Sequence, residues 1–309
     1  MSFAGALNTN RLSEKPWRTG AVVRFGVCVI IGILMGAVVA AVIRFFQTTH
    51  TSRVDEFLAL AGAAFASYVA AIVLLSRPWP AEPEVARLVI LLALIYCGFF
   101  FTWAASHLIK GDPELKNPVV AMCIAVLAFQ GLALLLVPFF LRQHLTGWFE
   151  GFGLNLYPGQ SLLIGIGVGI LVLYPILRLN ELCFELFDKL TLHPQEQQTV
   201  EILRHADTLL GRAASGIATV LIAPIGEEII FRGILYPWAK RRFSQQVALW
   251  GTAIFFGVIH ANLSSFLPLT LLAVILVGLY EYTGNLLAPI AVHFVFNGAN
   301  FVALFYQQK

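Results

Sequence analysis

The stretch 213–238 reads AASGIATVLIAPIGEEIIFRGILYPW and decides the fold. It is longer than the roughly 20 apolar residues with which an α-helix crosses the hydrocarbon of a bilayer. It nevertheless carries Glu227, Glu228 and Arg232 away from either end. Backbone polar groups in lipid must be hydrogen-bonded within their own segment, so the stretch predicts a transmembrane helix with charged residues inside it.

The composition extends this prediction to the whole chain. Of the 309 residues, 59% are hydrophobic and 12% are charged, whereas a soluble domain carries about 25% charged residues. The net charge is only +3, and no stretch has the density of Lys and Arg typical of nucleic-acid binding. The four cysteines form no CxxC pair, which indicates buried free thiols. The sequence thus predicts a multi-pass integral membrane protein that contacts lipid and binds no nucleic acid.

Nine apolar runs predict an all-α fold, a polytopic transmembrane helical bundle of about eight or nine spans. The runs are 21–46, 57–75, 88–108, 119–141, 161–177, 213–238, 247–260, 267–282 and 286–305. The seventh and eighth runs are short for a crossing, so we expect them to be tilted, partial or sheltered by neighbouring helices.

Basic residues indicate the orientation of the bundle. Residues 11–18 contain two arginines and one lysine against a single glutamate, and residues 240–242 are Lys-Arg-Arg. Short cytoplasmic loops are enriched in Lys and Arg. Six predicted spans separate the two segments, and an even number of crossings puts both on one side. We therefore expect a cytoplasmic N-terminus.

A long polar connection, 178–212, follows the fifth predicted span. Leu182, Leu186 and Leu190 share one helical face, and Pro194 stands where a first-turn proline would start a second helix. We expect short amphipathic helices at the membrane surface between the fifth and sixth spans, which either cap an active site or simply connect two spans.

Two glycines of the fifth span, Gly165 and Gly169, have the GxxxG spacing that allows close contact between membrane helices. Such spacing is also common by chance. We interpret it as a packing feature and infer no function from it.

The ionisable side chains within predicted spans concentrate in the last third of the chain. They are Glu227, Glu228 and Arg232 in the sixth span, His260 at the end of the seventh, and His293, with the amide of Asn297, in the ninth. A charged side chain at mid-bilayer costs about 2.5–3.5 kcal/mol even on the most lenient scale. Groups in separate helices are accommodated if they face one another or a wet cavity, so we expect them to converge.

Helical spacing suggests how these residues are paired. Glu228 and Arg232 are four apart, with the acid N-terminal to the base, which favours an ion pair. Glu227 points about 100° away on an ideal helix and would stay available for chemistry. His293 and Asn297 are also four apart and share a face.

Three segments carry a resemblance to a known family. Residues 227–232 have the pattern EExxxR, residues 256–260 the pattern FxxxH, and residues 293–297 the pattern HxxxN. In this order within membrane helices, they resemble the motifs of the CAAX protease and bacteriocin-processing family, and in particular its type II CAAX prenyl proteases. The resemblance covers roughly 215–305. It divides the chain into residues 1–210, a transmembrane region without a recognised motif, and residues 211–309, a CAAX-protease-like catalytic domain.

The resemblance implies an intramembrane glutamate endopeptidase. By position, Glu227 and His260 would activate a water molecule, and His293 with Asn297 would stabilise the oxyanion. Structural support of the site would come from Glu228, Arg232 and Phe256. The implied substrate is a peptide or a membrane protein, with or without a lipid anchor, and no cofactor is implied.

Other interpretations of the same residues stay open. Intramembrane Glu and His residues also serve transporters and proton relays, and a non-catalytic member of the family could act as a scaffold or immunity protein. The zinc-protease pattern HExxH is absent, so a zinc site would need Glu227, His260 and His293 from three helices. We expect no metal.

Overall fold

The computed structural model describes residues 15–30, 32–33, 119, 122–123, 126–192, 194, 200, 203–204 and 208–306. This part of the chain is helical, with connecting turns and no strand, as predicted. The helices are α1 (Thr19–Ile30), α2 (Leu132–Arg142), α3 (Trp148–Phe152), α4 (Pro158–Lys189), α5 (Leu209–Arg242), α6 (Gln245–Ile259), α7 (Leu263–Thr283) and α8 (Leu287–Tyr306).

The chain forms two compact units. One comprises residues 20–143 and contains α2 and nearly all of α1. In it, the rings of Phe25 and Phe140 pack with their centroids 5.4 Å apart, and a π-helical turn, Leu127–Gly131, leads into α2. The other comprises residues 1–19 and 144–309, and it contains α3 to α8 and all the candidate site residues.

Within the described residues, four helices, α4, α5, α7 and α8, are long and apolar enough to cross a membrane. Helices α1 and α6 and the helical stretch Phe129–Arg142 are shorter and apolar. This confirms a helical protein with several candidate spans. The predicted spans 57–75 and 88–108 lie outside the described residues, so the number of eight or nine stays a prediction.

The prediction that a separate helix follows the fifth span is wrong, although the amphipathic stretch is helical as expected. Helix α4 continues for 32 residues through both the predicted span and the amphipathic stretch that follows it. Pro175 lies inside the helix without ending it, and Arg178 pairs with Glu181 one turn later, which supports the helix at the expected boundary. The second predicted surface helix, from Pro194 to Leu203, lies almost entirely outside the described residues.

Helix α4 packs closely against α8 through its two spaced glycines, as the GxxxG spacing predicted. A Cβ at Gly165 would collide with the carbonyl oxygen of Ala288 and the methyl of Ala291. A Cβ at Gly169 would come within 2.9 Å of Cβ of Val295. The absence of these side chains lets the two backbones approach.

Helix α7 lies at the centre of the apolar core of this unit, since it packs against α4, α6 and α8. One cluster joins it to α4 and α8, and a second joins it to α5 and α6. The buried members are Leu272, Leu276, Leu279, Ile176, Ala288 and Val292 in the first, and Phe231, Ala253, Phe256, Leu269 and Ala273 in the second. The second cluster lies beside the candidate site.

Helix α5 contains two π-helical segments, Ile217–Ile222 and Ile229–Leu235, on either side of the α-helical segment Ala223–Glu228. Pro224 and Pro237 each follow a π segment within two residues. Proline has no N–H to donate to the preceding turn. Short π segments inside α-helices are rare and occur frequently at functional sites.

The basic run at the end of α5 has structural partners. Lys240 forms a buried ion pair with Glu281 of α7, with Nζ 2.7 Å from Oε1. Arg241 donates to the carbonyl of Lys15, and Arg242 donates to the hydroxyl of Thr19. These contacts put the segment preceding α1 at the same end of α5 as the basic run. Which side of the membrane they occupy stays a prediction.

Candidate active site

Helix α5 supplies the charged centre of the site. Glu228 and Arg232 are 0% and 1% exposed, and Nη1 of Arg232 lies 2.9 Å from Oε1 of Glu228. This is the ion pair that the spacing predicted. Nη2 of Arg232 also donates to the carbonyl of Ala273 on α7, at 3.4 Å, a contact that the sequence did not indicate.

His293 of α8 joins both glutamates. Its Nδ1 lies 2.8 Å from Oε1 of Glu228, and its Nε2 lies 3.8 Å from Oε2 of Glu227. Glu228 is paired with Arg232 as a carboxylate, and a carboxylate only accepts hydrogen bonds. Nδ1 of His293 is therefore the donor in this contact. Glu228 thus holds two side chains where the sequence predicted one.

Helix α6 closes the site with an aromatic ring and a second histidine. The ring of Phe256 is fully buried, and its centroid lies 4.7 Å from that of His260 and 6.1 Å from that of His293. The guanidinium carbon of Arg232 lies 4.6 Å from the same centroid, within range of a cation–π contact. Phe256 therefore supports three of the predicted residues at once.

His260 has a defined tautomer when it is neutral. Its Nδ1 lies 2.7 Å from the carbonyl oxygen of Phe256. A carbonyl only accepts, so the proton resides on Nδ1, and Nε2 carries the lone pair. The side chain is half-buried at the last turn of α6, and Ala261 then turns the chain with a φ of 49°. Nε2 is the nitrogen of His260 able to act as a base or to accept from a water molecule.

Asn297 lies one turn after His293 and contacts the backbone of α5. Its Nδ2 donates to the carbonyl of Thr219 at 2.9 Å. The N–H of Ala223 donates instead to Ala218, five residues back, and Pro224 has no N–H. The carbonyl of Thr219 therefore receives neither of those helical hydrogen bonds, and the amide of Asn297 replaces them. An amide has two N–H groups, so a second donor is still available.

The described contacts bring most of the predicted residues into one group. They join Glu227, Glu228, Arg232, Phe256 and His293 directly, and His260 through the ring of Phe256. Asn297 is attached to the same helix as the glutamates, through Thr219. Buried charges are costly unless they are paired and hydrogen-bonded, which explains why the charges cluster.

No three His, Cys, Asp or Glu side chains within the described ranges are grouped as ligands of a metal ion would be. The zinc set considered from the sequence, Glu227, His260 and His293, is therefore not assembled as a metal site in this structure. One nitrogen of each histidine contacts another group: Nδ1 of His260 faces a carbonyl, and Nδ1 of His293 faces Glu228.

Sequence reasoning missed the backbone partners of the site. Thr219, Ala273 and Gly233 each offer a carbonyl to a side chain from elsewhere in the fold: Asn297, Arg232 and Trp17, respectively. The prolines of α5 are a signal for the carbonyls of Thr219 and Gly233, since each proline removes a backbone donor from the preceding turn. The donors themselves have no marker in the sequence.

Comparison with known proteins agrees with the resemblance seen in the motifs. Residues 210–299 match the family described as "Type II CAAX prenyl endopeptidase Rce1-like". A curated relative, the uncharacterized protein YpbD of Bacillus subtilis (strain 168), is 33% identical over 81 residues, which are 25% of this chain and 38% of the relative. The match thus spans well under half of that relative. No solved structure matches the chain significantly.

The segment 210–299 is accordingly the part of the chain that matches the Rce1-like type II CAAX prenyl endopeptidase family. It contains α5, α6 and α7 and the part of α8 that carries His293 and Asn297. The family match and the residue cluster therefore coincide in the chain.

Proposed function

We propose that this protein is an intramembrane endopeptidase that hydrolyses a peptide bond with a water molecule activated by Glu227 and His260. The observation that supports it most is the buried group of two glutamates, one arginine and one histidine, set beside a second histidine. Within the matched domain, Glu228 holds Arg232 and His293, and Glu227 lies at the edge of that group, 3.8 Å from Nε2 of His293.

The first step is attack by water. Glu227 takes one proton from the water, and Nε2 of His260 accepts a hydrogen bond from the other. The oxygen bonds to the carbonyl carbon of the scissile peptide, and the C=O π electrons move to its oxygen. The tautomer of His260 favours this role, because its Nδ1 proton is held by the carbonyl of Phe256.

The second step is collapse of the tetrahedral intermediate. His293 and Asn297 donate hydrogen bonds to the oxyanion, which is the stabilisation expected of an oxyanion hole. His293 already donates from Nδ1, so it can donate from Nε2 only as imidazolium, and Glu228 is placed to stabilise that charge. The C–N bond then breaks, and Glu227 gives its proton to the leaving amine.

The test is cleavage by the purified full-length chain in lipid nanodiscs. Two peptides of one sequence, each ending in a cysteine and three further residues, are compared, one farnesylated and the other not. We expect mass spectrometry to show release of the three terminal residues from at least one of them. Glu227→Gln should abolish release, whereas Glu185→Gln, which alters an exposed glutamate of α4, should leave it unchanged.

The competing functions give different results. A folded protein that cleaves neither peptide, or for which Glu227→Gln and Glu185→Gln behave alike, would contradict the proposal. Proton flux across liposomes without cleavage would instead indicate a transporter. Activity that disappears on chelation and returns with one zinc per chain would replace the glutamate mechanism with a metal mechanism.

A further inference from the structure

We propose that Trp17 is a positioning residue of the candidate active site, which acts through the backbone of α5. The inference rests on the proposed function for one of its two readouts, and the other readout is independent of activity. Trp17 lies in the segment 15–18 that precedes α1, outside the domain 210–299 and outside the three motifs.

The contact is a buried hydrogen bond between distant parts of the chain. The side chain of Trp17 is 2% exposed, and its Nε1 donates to the carbonyl of Gly233 at 2.9 Å. In an α-helix that carbonyl would accept from the N–H four residues later. That residue is Pro237, which has no N–H. The indole thus provides a donor in place of the α-helical one that Pro237 cannot supply.

The position of this carbonyl links it to the site. Gly233 lies within the π-helical segment Ile229–Leu235 and directly follows Arg232. From Arg232, short contacts lead to Glu228 at 2.9 Å, from Glu228 to His293 at 2.8 Å, and from His293 to Glu227 at 3.8 Å. A one-residue change of helical register rotates a side chain by about 100°, so a donor that holds the π turn also fixes the direction of the guanidinium.

The surroundings of Trp17 hold the indole in place. Its ring meets the ring of His144 edge-on at 5.0 Å and lies 6.4 Å from that of Phe152. A Cβ at Gly233 would lie 2.8 Å from the ring of Phe152. Glycine at 233 therefore leaves room for the ring of Phe152 beside the backbone.

The segment that carries Trp17 has other attachments. Nζ of Lys15 donates to the carbonyl of Glu150, and the carbonyl of Lys15 accepts from Arg241. The backbone N–H of Arg18 donates to Nε2 of His144 at 2.9 Å. Loss of the indole N–H alone should therefore leave the segment in place, and its effect should be confined to the π turn.

The test compares two tryptophans that tie this segment to α5. Trp17→Phe removes the donor to Gly233. Trp238→Phe is the matched control, because Nε1 of Trp238 donates to Thr19 at 3.3 Å and not to the backbone of α5. Turnover of the cleaved peptide and the NMR signal of the His293 Nδ1 proton are measured in histidine-labelled full-length protein, with the signal assigned by its loss in His293→Gln.

We expect Trp17→Phe to lower kcat about tenfold, with KM changed less than twofold, and to shift the His293 signal. Trp238→Phe should change neither. An unshifted signal with kcat within twofold of the wild type would overturn the proposal, as would equal effects of both variants. If the wild type cleaves nothing, the proposed function fails, while the His293 signal still decides the role of Trp17.

A second variant guards against a folding defect in Trp17→Phe. Benzothienylalanine introduced at position 17 by codon suppression has the shape of tryptophan, with sulfur in place of the N–H. We expect it to reproduce the shifted signal and the lower kcat in protein that elutes as the wild type does. A wild-type signal from this variant would show that the ring, and not its hydrogen bond, is what matters.

Discussion

Glu228 contacts two side chains, Arg232 and His293, whose positions the proposed chemistry requires to be fixed. Its Oε1 lies 2.9 Å from Nη1 of Arg232 and 2.8 Å from Nδ1 of His293, and its side chain is completely buried. Its Oε2 has no hydrogen-bond partner within the described part of the chain. A carboxylate that holds both Arg232 and His293 on one oxygen is suited to fixing their positions, whereas Glu227, at the edge of the group, is suited to react.

Substitution of the two glutamates should separate these roles. Glu228→Gln is expected to lower the free energy of unfolding by about 3–5 kcal/mol, because a buried charge loses its partner, and to lower activity as well. Glu227→Gln should abolish cleavage and change stability by less than about 1 kcal/mol. Thermal unfolding in detergent and peptide cleavage measure the two effects. A stable, inactive Glu228→Gln together with an active Glu227→Gln would show that the roles are reversed.

Asn297 is expected to serve both the oxyanion and the helix. Removing an oxyanion donor typically lowers turnover by about 10²–10³, and loss of the hydrogen bond to Thr219 should cost about 1 kcal/mol of stability. We therefore expect Asn297→Ala to lower kcat on that scale, with a smaller change of KM and a modest decrease in melting temperature.

The control for Asn297 is Asn300, one turn further along α8. Asn300 donates to the carbonyl of Phe296 within α8. Asn300→Ala therefore removes an amide whose hydrogen bond stays within its own helix. It should keep kcat within twofold. A large loss of stability in Asn297→Ala without a loss of kcat in the folded fraction would assign Asn297 to structure alone.

At the scale of helices, the close packing of α4 on α8 is the contact most sensitive to volume. Gly165→Ala places a methyl group against the carbonyl of Ala288 and should destabilise the protein by about 1–3 kcal/mol, as overpacking does. Gly167→Ala is the matched control, because nothing lies within 4 Å of its Cβ. In a helix interior, alanine is favoured over glycine by roughly 0.5–1 kcal/mol, so the control should be neutral or slightly stabilising.

Melting temperatures in one detergent compare the two variants directly. Equal melting temperatures for Gly165→Ala and Gly167→Ala would mean that α4 and α8 are not in close contact in solution. The comparison also tests the site indirectly, since α8 carries His293 and Asn297.

The contacts for which the sequence predicted both partners lie within a single helix, whereas for the GxxxG pair it predicted close packing without naming the partner helix. The pairing of Glu228 with Arg232 follows from their spacing of four residues, and the GxxxG pair follows from the absence of side chains. By contrast, the contact of Glu228 with His293 joins positions 65 apart. It depends on the rotation of α5 as it meets α8, which the π segments alter and periodicity cannot show.

The end of α4 illustrates a second limit of sequence reasoning. The change from apolar to charged residues at Arg178 indicated the end of a span, yet the helix continues to Lys189. Hydrophobicity indicates where lipid ends, whereas backbone hydrogen bonding decides where a helix ends. A helix can therefore extend beyond its apolar part when nothing in the sequence stops it.

At the scale of the whole unit, the contacts of residues 15–19 bear on topology. Arg241 reaches the carbonyl of Lys15, and Arg242 reaches Thr19. The segment before α1 and the turn after α5 therefore lie at one end of the helices of this unit. Helix α4 begins at this same end, near the α7–α8 turn, where the carbonyl of Leu156 accepts from Asn285. Lys189, the last residue of α4, therefore lies at the opposite end of the unit.

This arrangement predicts which residues a membrane-impermeant thiol reagent reaches from outside the cell. Single cysteines replace Gln246 and Lys189, both exposed, in a chain whose own four cysteines are changed to alanine. Because basic residues favour the cytoplasmic side, we expect Lys189→Cys to be labelled in intact cells and Gln246→Cys only after lysis. A reporter fused to the N-terminus should lie on the same side as position 246. If the reporter and position 246 were on opposite sides, the contacts of residues 15–19 would be contradicted. If the reporter and position 246 were both outside, only the orientation inferred from charge would be contradicted.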